Sequence, residues 1–392
     1  MLTAETLPDL QRALAAAELD GWLLFDFRGL NPIAKDLLRL EGMASRRAWA
    51  WVPTRGTPVA FTHAIEQGAW AHWPPQWARE TYSSWRSLED LLRRYVGGKR
   101  VAMEYSPGDA VPYLDRVPAG VLEMVRGAGA EVVSSGELVS RFYAVWSEAD
   151  IASHLRASER VAAIAREALA FAGRRAHAGH PISEHELMQW ILEQFRDSGL
   201  STDHGPNVSA GENAANPHYE PSATHPRPIR PGEILLIDLW AKEEGGVYAD
   251  QTWMASVGAA SQEAHQIWNA VRDARDRAIE LVRAAASSET PIRGADVDDA
   301  ARSIIVERGY GPYFTHRTGH SIDARDLHGS GPHLDNLETR EERLLIPGVG
   351  FSIEPGVYMP GKVGMRSEVN VFLRRGEAVV TPRSFQTDLI EV

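Results

Sequence analysis

Two pairs of acidic residues constrain this chain more than any other feature. Asp238 with Asp250, and Glu354 with Glu368, are each placed symmetrically about a stretch that reads as a turn. The first pair is centred on position 244, inside Lys242-Glu243-Glu244-Gly245-Gly246, between the apolar run 234–240 and the run 247–254. The second is centred on Gly361, inside Met359-Pro360-Gly361-Lys362. If each stretch closes a hairpin, residues equidistant from the turn face each other with β-carbons roughly 5 Å apart. Carboxylates that close repel by about 3 kcal/mol at an effective dielectric near ~20. Two divalent cations would cancel all four charges, which is the physical reason two-metal hydrolases concentrate acids.

Solvated acidic hairpins are the plainer alternative, and the flanking residues argue against them. Asp238 sits in Ile-Leu-Leu-Ile-Asp-Leu-Trp, apolar on both alternate faces, which reads as a strand buried on both sides. Glu354 follows Gly350-Phe351-Ser352-Ile353 and precedes the breaker pair Pro355-Gly356. Carboxylates in such strands need partners.

The chain has 392 residues, enough for two domains and a sizeable core. Its 44% hydrophobic and 24% charged residues are those of an ordinary soluble protein. A net charge of −12 opposes phosphate backbones and speaks against a nucleic-acid partner. With no cysteine, disulfides and thiolate chemistry are excluded. No stretch reaches the roughly 18 apolar residues of a membrane span. The first ten residues carry neither a basic n-region nor a long apolar core, so the expected location is cytoplasmic. Trp70, Trp73, Trp77 and Trp85 cluster beside Pro74-Pro75 and read as packing or an interface loop.

Residues 1–146 read as a small α/β domain. A helix carries Leu7, Leu10, Leu14 and Ala17, a strand covers 21–25, and a hairpin joins 47–52 to 59–62. A helix over 87–95, a strand at 100–104, a helix over 117–127 and a strand at 131–133 follow. Residues 147–392 form the second domain. Capping boxes at Ser147-Glu148-Ala149-Asp150 and Ser183-Glu184-His185-Glu186 open helices, the first running through about Ala172. Further helices cover about 261–286 and 296–309. The acid-bearing strands lie between them, so the expectation is an α+β chain whose second domain is a helix-flanked, largely antiparallel sheet.

Histidines add nitrogen donors. The segment Gly-Pro-Tyr-Phe-Thr-His316-Arg317-Thr318-Gly319-His320 brings two imidazoles four residues apart, and Asp326-Leu327-His328 brings a third. Four carboxylates with His320 suit manganese, cobalt, iron or zinc better than a thiolate-rich zinc site does.

Six motifs then carry a resemblance. Asn213-Ala-Ala-Asn-Pro-His218, Leu236-Ile-Asp238, Tyr248-Ala-Asp250-Gln-Thr252, Arg317-Thr-Gly-His320, Ile353-Glu354-Pro-Gly-Val-Tyr358 and Met365-Arg-Ser-Glu368 together resemble the pita-bread metallopeptidases, in family order across about 147–392. Within them the likeness is to the Xaa-Pro peptidases, prolidase and aminopeptidase P. The resemblance implies a small N-terminal creatinase/prolidase-like α/β domain ahead of a C-terminal pita-bread domain. It implies Asp238, Asp250, His320, Glu354 and Glu368 as ligands of two divalent ions, manganese first and cobalt, zinc or iron after it. It implies His218 and His328 beside the substrate, with His316 and Arg366 in the substrate site or just behind the ligands. The family reaction is hydrolysis of the bond preceding proline by a hydroxide bridging the metals; an adjacent carboxylate can shuttle the proton, and Glu354 is the candidate for that as well as for ligation. Small peptides are the implied substrates, and a homodimer is compatible with the family.

Departures from the family pattern are visible. The segment between Asp238 and Asp250 is about one residue longer than usual, and Trp253 stands where arginine is common. One extra residue also separates His320 from His328, and Gly329 stands where glutamate is usual. The leading reading is an Xaa-Pro dipeptidase, with aminopeptidase P next. A pita-bread hydrolase of a small non-peptide amide and a non-catalytic binding protein are the other classes. In the last, the five ligand positions would have drifted to uncharged residues, and here all five remain.

Overall fold

The computed structural model describes residues 1–42 and 45–392. Its contacts divide the chain into two units, Met1–Tyr143 and Ala144–Val392. In the first, α1 (Leu7–Ala16), β1 (Gly21–Asp26), α2 (Pro32–Leu38), β2 (Ala48–Pro53), β3 (Val59–His63), β4 (Ala78–Tyr82), α3 (Trp85–Val96), β5 (Arg100–Met103), α4 (Ala119–Gly127), β6 (Glu131–Ser134) and α5 (Gly136–Phe142) follow one another. The six strands form one sheet in the order β4-β3-β2-β1-β5-β6.

Alternation along β1 explains the layering. Trp22 and Leu24 join a core with Leu10, Leu14, Ile33, Leu37, Leu138 and Val139 from α1, α2 and α5. Leu23 and Phe25 point the other way, into a core with Leu88, Leu92, Leu122 and Val125 from α3 and α4. A strand with both faces covered in this way is apolar throughout. Of the clustered tryptophans, Trp70, Trp73 and Trp77 are buried and pack edge to face, with centroids 5.4 and 5.0 Å apart, while Trp85 is exposed.

The second unit contains α6 (Glu148–His177), α7 (Glu184–Asp197), β7 (Asn207–Ala210), β8 (Ile234–Ala241), β9 (Ala249–Ser256), α8 (Gln262–Ser288), α9 (Gly294–Glu307), β10 (Gly350–Ile353), β11 (Gly356–Met359), β12 (Val363–Arg366), β13 (Val369–Arg374), β14 (Glu377–Thr381) and β15 (Ile390–Glu391). Ser147 and Ser183 close the expected capping boxes with Asp150 and Glu186. The first of these helices runs on to His177, past Gly173. A β-carbon at Gly173 would lie 2.6 Å from Val392, so glycine there serves close approach of the chain and does not end the helix.

Sheets of order β15-β9-β8-β7, β10-β13-β14 and β11-β12 make up the second unit. Leu235, Ile237 and Leu239 pack with Val161, Ala165, Leu187 and Ile191 of α6 and α7. On the opposite face Leu236 and Met254 join Ile267, Val271, Val297 and Ala301 of α8 and α9, together with Phe351 and Val371. Asp238 shares this second face with Leu236, which turns it toward the sheets that carry the glutamates. No helix among the described residues is long and apolar enough to cross a membrane.

The register corrects one expectation. Asp238 pairs with Thr252, and Asp250 with Trp240, so Asp238 and Asp250 are diagonal neighbours and do not face each other directly. The hairpin closes about Gly245, at φ +68°, one residue beyond the expected centre. A shift of one in the centre displaces the partner by two, which preserves the face. The glutamates do meet across their hairpin. Ile353 pairs with Val369 in one ladder and Gly356 with Arg366 in the next, and Glu354 and Glu368 fall opposite one another in the gap between.

Candidate metal centre

Two strands, two strand junctions and one loop bring the four acids and His320 together. β8 and β9 supply Asp238 and Asp250, the β10–β11 and β12–β13 junctions supply Glu354 and Glu368, and the loop after α9 supplies His320. That loop is pinned by Asp298 of α9, which accepts from Thr318 N at 2.9 Å and from Thr318 Oγ1 at 2.6 Å. Thr318 in turn accepts from Glu354 N at 2.7 Å, so one helix residue sets both His320 and Glu354.

All five residues are buried. Ligand atoms of Asp250, His320 and Glu368 lie within 4.8 Å of one another. His320 Nε2 is 3.2 Å from Asp250 Oδ2 and 3.4 Å from Glu354 Oε1. Its Nδ1 donates to Ser321 O at 3.0 Å, which leaves the Nε2 lone pair able to serve a metal. Asp238 enters through Thr252, whose Oγ1 lies 3.4 Å from Asp238 Oδ1 and 2.8 Å from Glu368 Oε2. Asp250 Oδ1 and Glu368 Oε1 are buried without a hydrogen-bond partner among the described residues. Carboxylate oxygens converging on one point, two of them unsatisfied, are what a divalent cation needs, and the residues present fit one.

The electrostatics give the same answer. Burial, followed by the charges of Asp250 and Glu354, pushes Asp238 up to about 7 against the opposing Arg366. Burial and the three neighbouring acids drive Glu368 well above the carboxylate range. Asp250 is raised by burial in spite of its hydrogen bond to His320. Burial works to raise Glu354 as well, but His320 and Arg366 hold it at about 2. The native cations do not neutralise the four acids, and bound metal would.

The remaining expected residues divide by location. Arg366 is buried among the acids, with its guanidinium on Asp238, its Nε 2.7 Å from Thr252 Oγ1, and Glu354 and Glu368 at 3.8 and 3.9 Å. His316 is half-buried behind them, its Nε2 2.8 Å from Tyr358 Oη. His328 is exposed, with its ring centroid 4.2 Å from that of His320 and its Nδ1 3.3 Å from Arg317. His218 is exposed on the loop after β7, where its N–H donates to Asn216 Oδ1 at 3.0 Å. A β-carbon at Gly329 would meet Asp323 Oδ2 and Ser321 Oγ at 3.0 Å, so the space a side chain would take there is filled by this chain's own loop.

Three supporting residues carried no role in the sequence reading. Thr252 joins Asp238, Glu368 and Arg366. Ser352 Oγ donates to Glu354 Oε1 at 3.0 Å and accepts from His320 N at 2.9 Å. Asn370 exchanges two hydrogen bonds with the backbone of Asp250, at 2.9 and 2.8 Å. Each is a polar residue two positions from an acid on a buried strand, and that spacing is the signal that could have found them.

Residues 154–375 match the model of metallopeptidase family M24, more than half of the chain. The chain belongs to metallopeptidase family M24. It is 36% identical over 162 residues to an Xaa-Pro dipeptidase of Lactobacillus helveticus, a match spanning 41% of this chain and only 40% of that enzyme. It is 28% identical over 335 residues to a probable dipeptidase PepE of Mycobacterium bovis, spanning 84% of this chain and 81% of the relative. Among solved structures, dipeptidase PepE from Mycobacterium ulcerans superposes with a TM-score of 0.71 at 23% identity, covering 99% of this chain and 98% of that one. The fold of that dipeptidase structure therefore extends over both units of the chain.

Proposed function

We propose that this M24 chain is an Xaa-Pro dipeptidase, hydrolysing the bond before proline in dipeptides, with two divalent ions held by Asp238, Asp250, His320, Glu354 and Glu368. The observation that carries this reading is the convergence of four buried acids and His320, two of their oxygens unsatisfied, in a chain similar to an Xaa-Pro dipeptidase and a probable dipeptidase. Manganese is the proposed ion, since oxygen donors with one imidazole favour it over softer sites.

When bound, such ions supply hydroxide near neutral pH and polarise the scissile carbonyl. The chain's own residues do the rest. Glu354, ionised and oriented by Ser352, accepts a proton and passes it on. Arg366 and Thr252 hold Asp238 and Glu368 in place. Arg317 has only donors to offer, so His328 Nδ1 accepts from it and the ring proton sits on Nε2, where it can be donated to the substrate. His218 serves as a second such donor. Arg317 beside His328 is a cation suited to the free carboxylate of a dipeptide.

Turnover of Ala-Pro, Met-Pro, a matched Xaa-Pro tripeptide and a non-peptide amide, each with manganese, cobalt and zinc, tests the reading. Dipeptides should lead. A clear preference for the tripeptide would move the assignment to aminopeptidase P, and hydrolysis of the amide alone would remove the peptidase reading.

A further inference from the structure

Strand β7 places an asparagine where a buried strand has little use for one. Asn207 is buried, and its Nδ2 donates to Pro217 O at 3.2 Å. A carbonyl oxygen only accepts, so this contact fixes the amide with its NH2 group toward Pro217 and its oxygen turned away. That oxygen, Oδ1, has no partner among the described residues.

Register says where it points. Asn207 pairs with Asp238, and Asp238 with Thr252. Directly opposed residues of antiparallel strands project from the same face, so Asn207, Asp238 and Thr252 form one polar row across β7, β8 and β9. The neighbours Val208 and Ala210 project from the other face into the core under α6 and α7. Ser209, whose Oγ also lacks a partner, shares the face of Asn207 but lies one row deeper, opposite Leu236 in the apolar core. Asn207 alone therefore adds an acceptor to the row of the site, next to the residue that leads into His218.

An unsatisfied acceptor one strand from a carboxylate favours a donor, and a cationic one most. The nearby protein cations are engaged elsewhere and none bonds this oxygen: Arg366 lies on Asp238 and Thr252, and Arg317 meets His328. Every unblocked dipeptide, whatever its side chains, carries one cationic donor, its α-ammonium. Resting on the dipeptidase reading above, we propose that Asn207 Oδ1 accepts a hydrogen bond from the free α-ammonium of the substrate's first residue, which makes Asn207 a specificity determinant for an unblocked amino terminus.

The test compares Ala-Pro with propionyl-proline, the same skeleton without the ammonium group, in wild-type enzyme and Asn207→Leu, with metal content measured in both. KM for Ala-Pro should rise about tenfold or more in the variant, the worth of one hydrogen bond to a charged group. The inhibition constant of propionyl-proline should stay within about twofold, and the metal content should not change. Both constants are independent of the fraction of protein that folds. Equal weakening of the two ligands would overturn the proposal, since Asn207 would then only support the His218 loop through Pro217. So would unaltered binding of Ala-Pro, or a loss of metal. Wild-type enzyme that cleaves no Xaa-Pro dipeptide would remove the dipeptidase reading and this one together. Wild-type cleavage with an unaltered variant would remove only the role of Asn207.

Discussion

His154 of α6 should make the second unit sensitive to mild acid. The ring is fully buried against Trp146, with centroids 4.8 Å apart, and Phe372. Its Nδ1 is 2.8 Å from Tyr248 O and its Nε2 2.8 Å from Thr381 Oγ1. The carbonyl can only accept, so Nδ1 carries the proton and Nε2 takes one from the threonine hydroxyl. One neutral tautomer satisfies both bonds. Burial lowers the pKa from 6.5 to about 4, with the Tyr248 contact pulling weakly the other way. The folded-state value lies below the unfolded one, so the unfolded chain binds the proton first. The stabilisation is therefore complete above pH 6.5 and is lost as pH falls toward 4. The full difference is about 3 kcal/mol, of which about 2 kcal/mol is lost by pH 5. Urea unfolding of wild type and His154→Gln at pH 8, 6.5 and 5 measures it, because other titrating groups are common to both proteins. Wild type should lose about 2 kcal/mol more than the variant between pH 8 and 5. Equal pH slopes would refute the reasoning.

Active enzyme should contain two divalent ions per chain. Asp250→Ala or Glu354→Ala should lose metal and reduce turnover by more than the ~100-fold that loss of an outer-shell partner can cost; full activity in rigorously metal-free protein would refute this. His328→Ala should retain both ions while kcat falls by about 100-fold, and near-normal kcat would place His328 outside the mechanism. Gly364→Ala should destabilise by about 1–3 kcal/mol in urea unfolding, because the added β-carbon would lie 1.8 Å from Ala214 O. An unchanged midpoint would show that the segment leading to His218 gives way freely.

Much of this could be read before folding because the signals were local. Pro360-Gly361 marked the centre of the glutamate hairpin, and the ladders on either side keep that centre. In the aspartate hairpin Glu244, Gly245 and Gly246 offered adjacent centres, and only the ladder decides between them. Strand β4 reads Ala-Arg-Glu-Thr-Tyr, largely exposed at the sheet edge, and has no apolar pattern to reveal it. Strand β7 is four small or polar residues whose strand character comes from pairing with β8. Helix α2 did carry a start signal, Asn31 capping ahead of Pro32, in a segment too short for helical periodicity to emerge. Within the site, the acids and the histidine that converge, and their order along the chain, were legible. The cross-links made by Thr252, Ser352 and Asn370 depend on distances between strands far apart in sequence.

Glu354 and Glu368 occupy a gap bounded by two ladders that are in phase, and the β11–β12 turn lies at the far end of one of them. Residues added at that turn change the length of the hairpin tip but not the pairing of Ile353 with Val369 beyond the glutamates. Pro360, Gly361 and Lys362 are exposed, and of the three it is Gly361, at φ +70°, that favours its own residue type. The tip is thus a place where sequence can drift, or where an epitope or a fluorescent reporter can be inserted. Such a probe would sit one short hairpin away from the glutamates and still leave them in register.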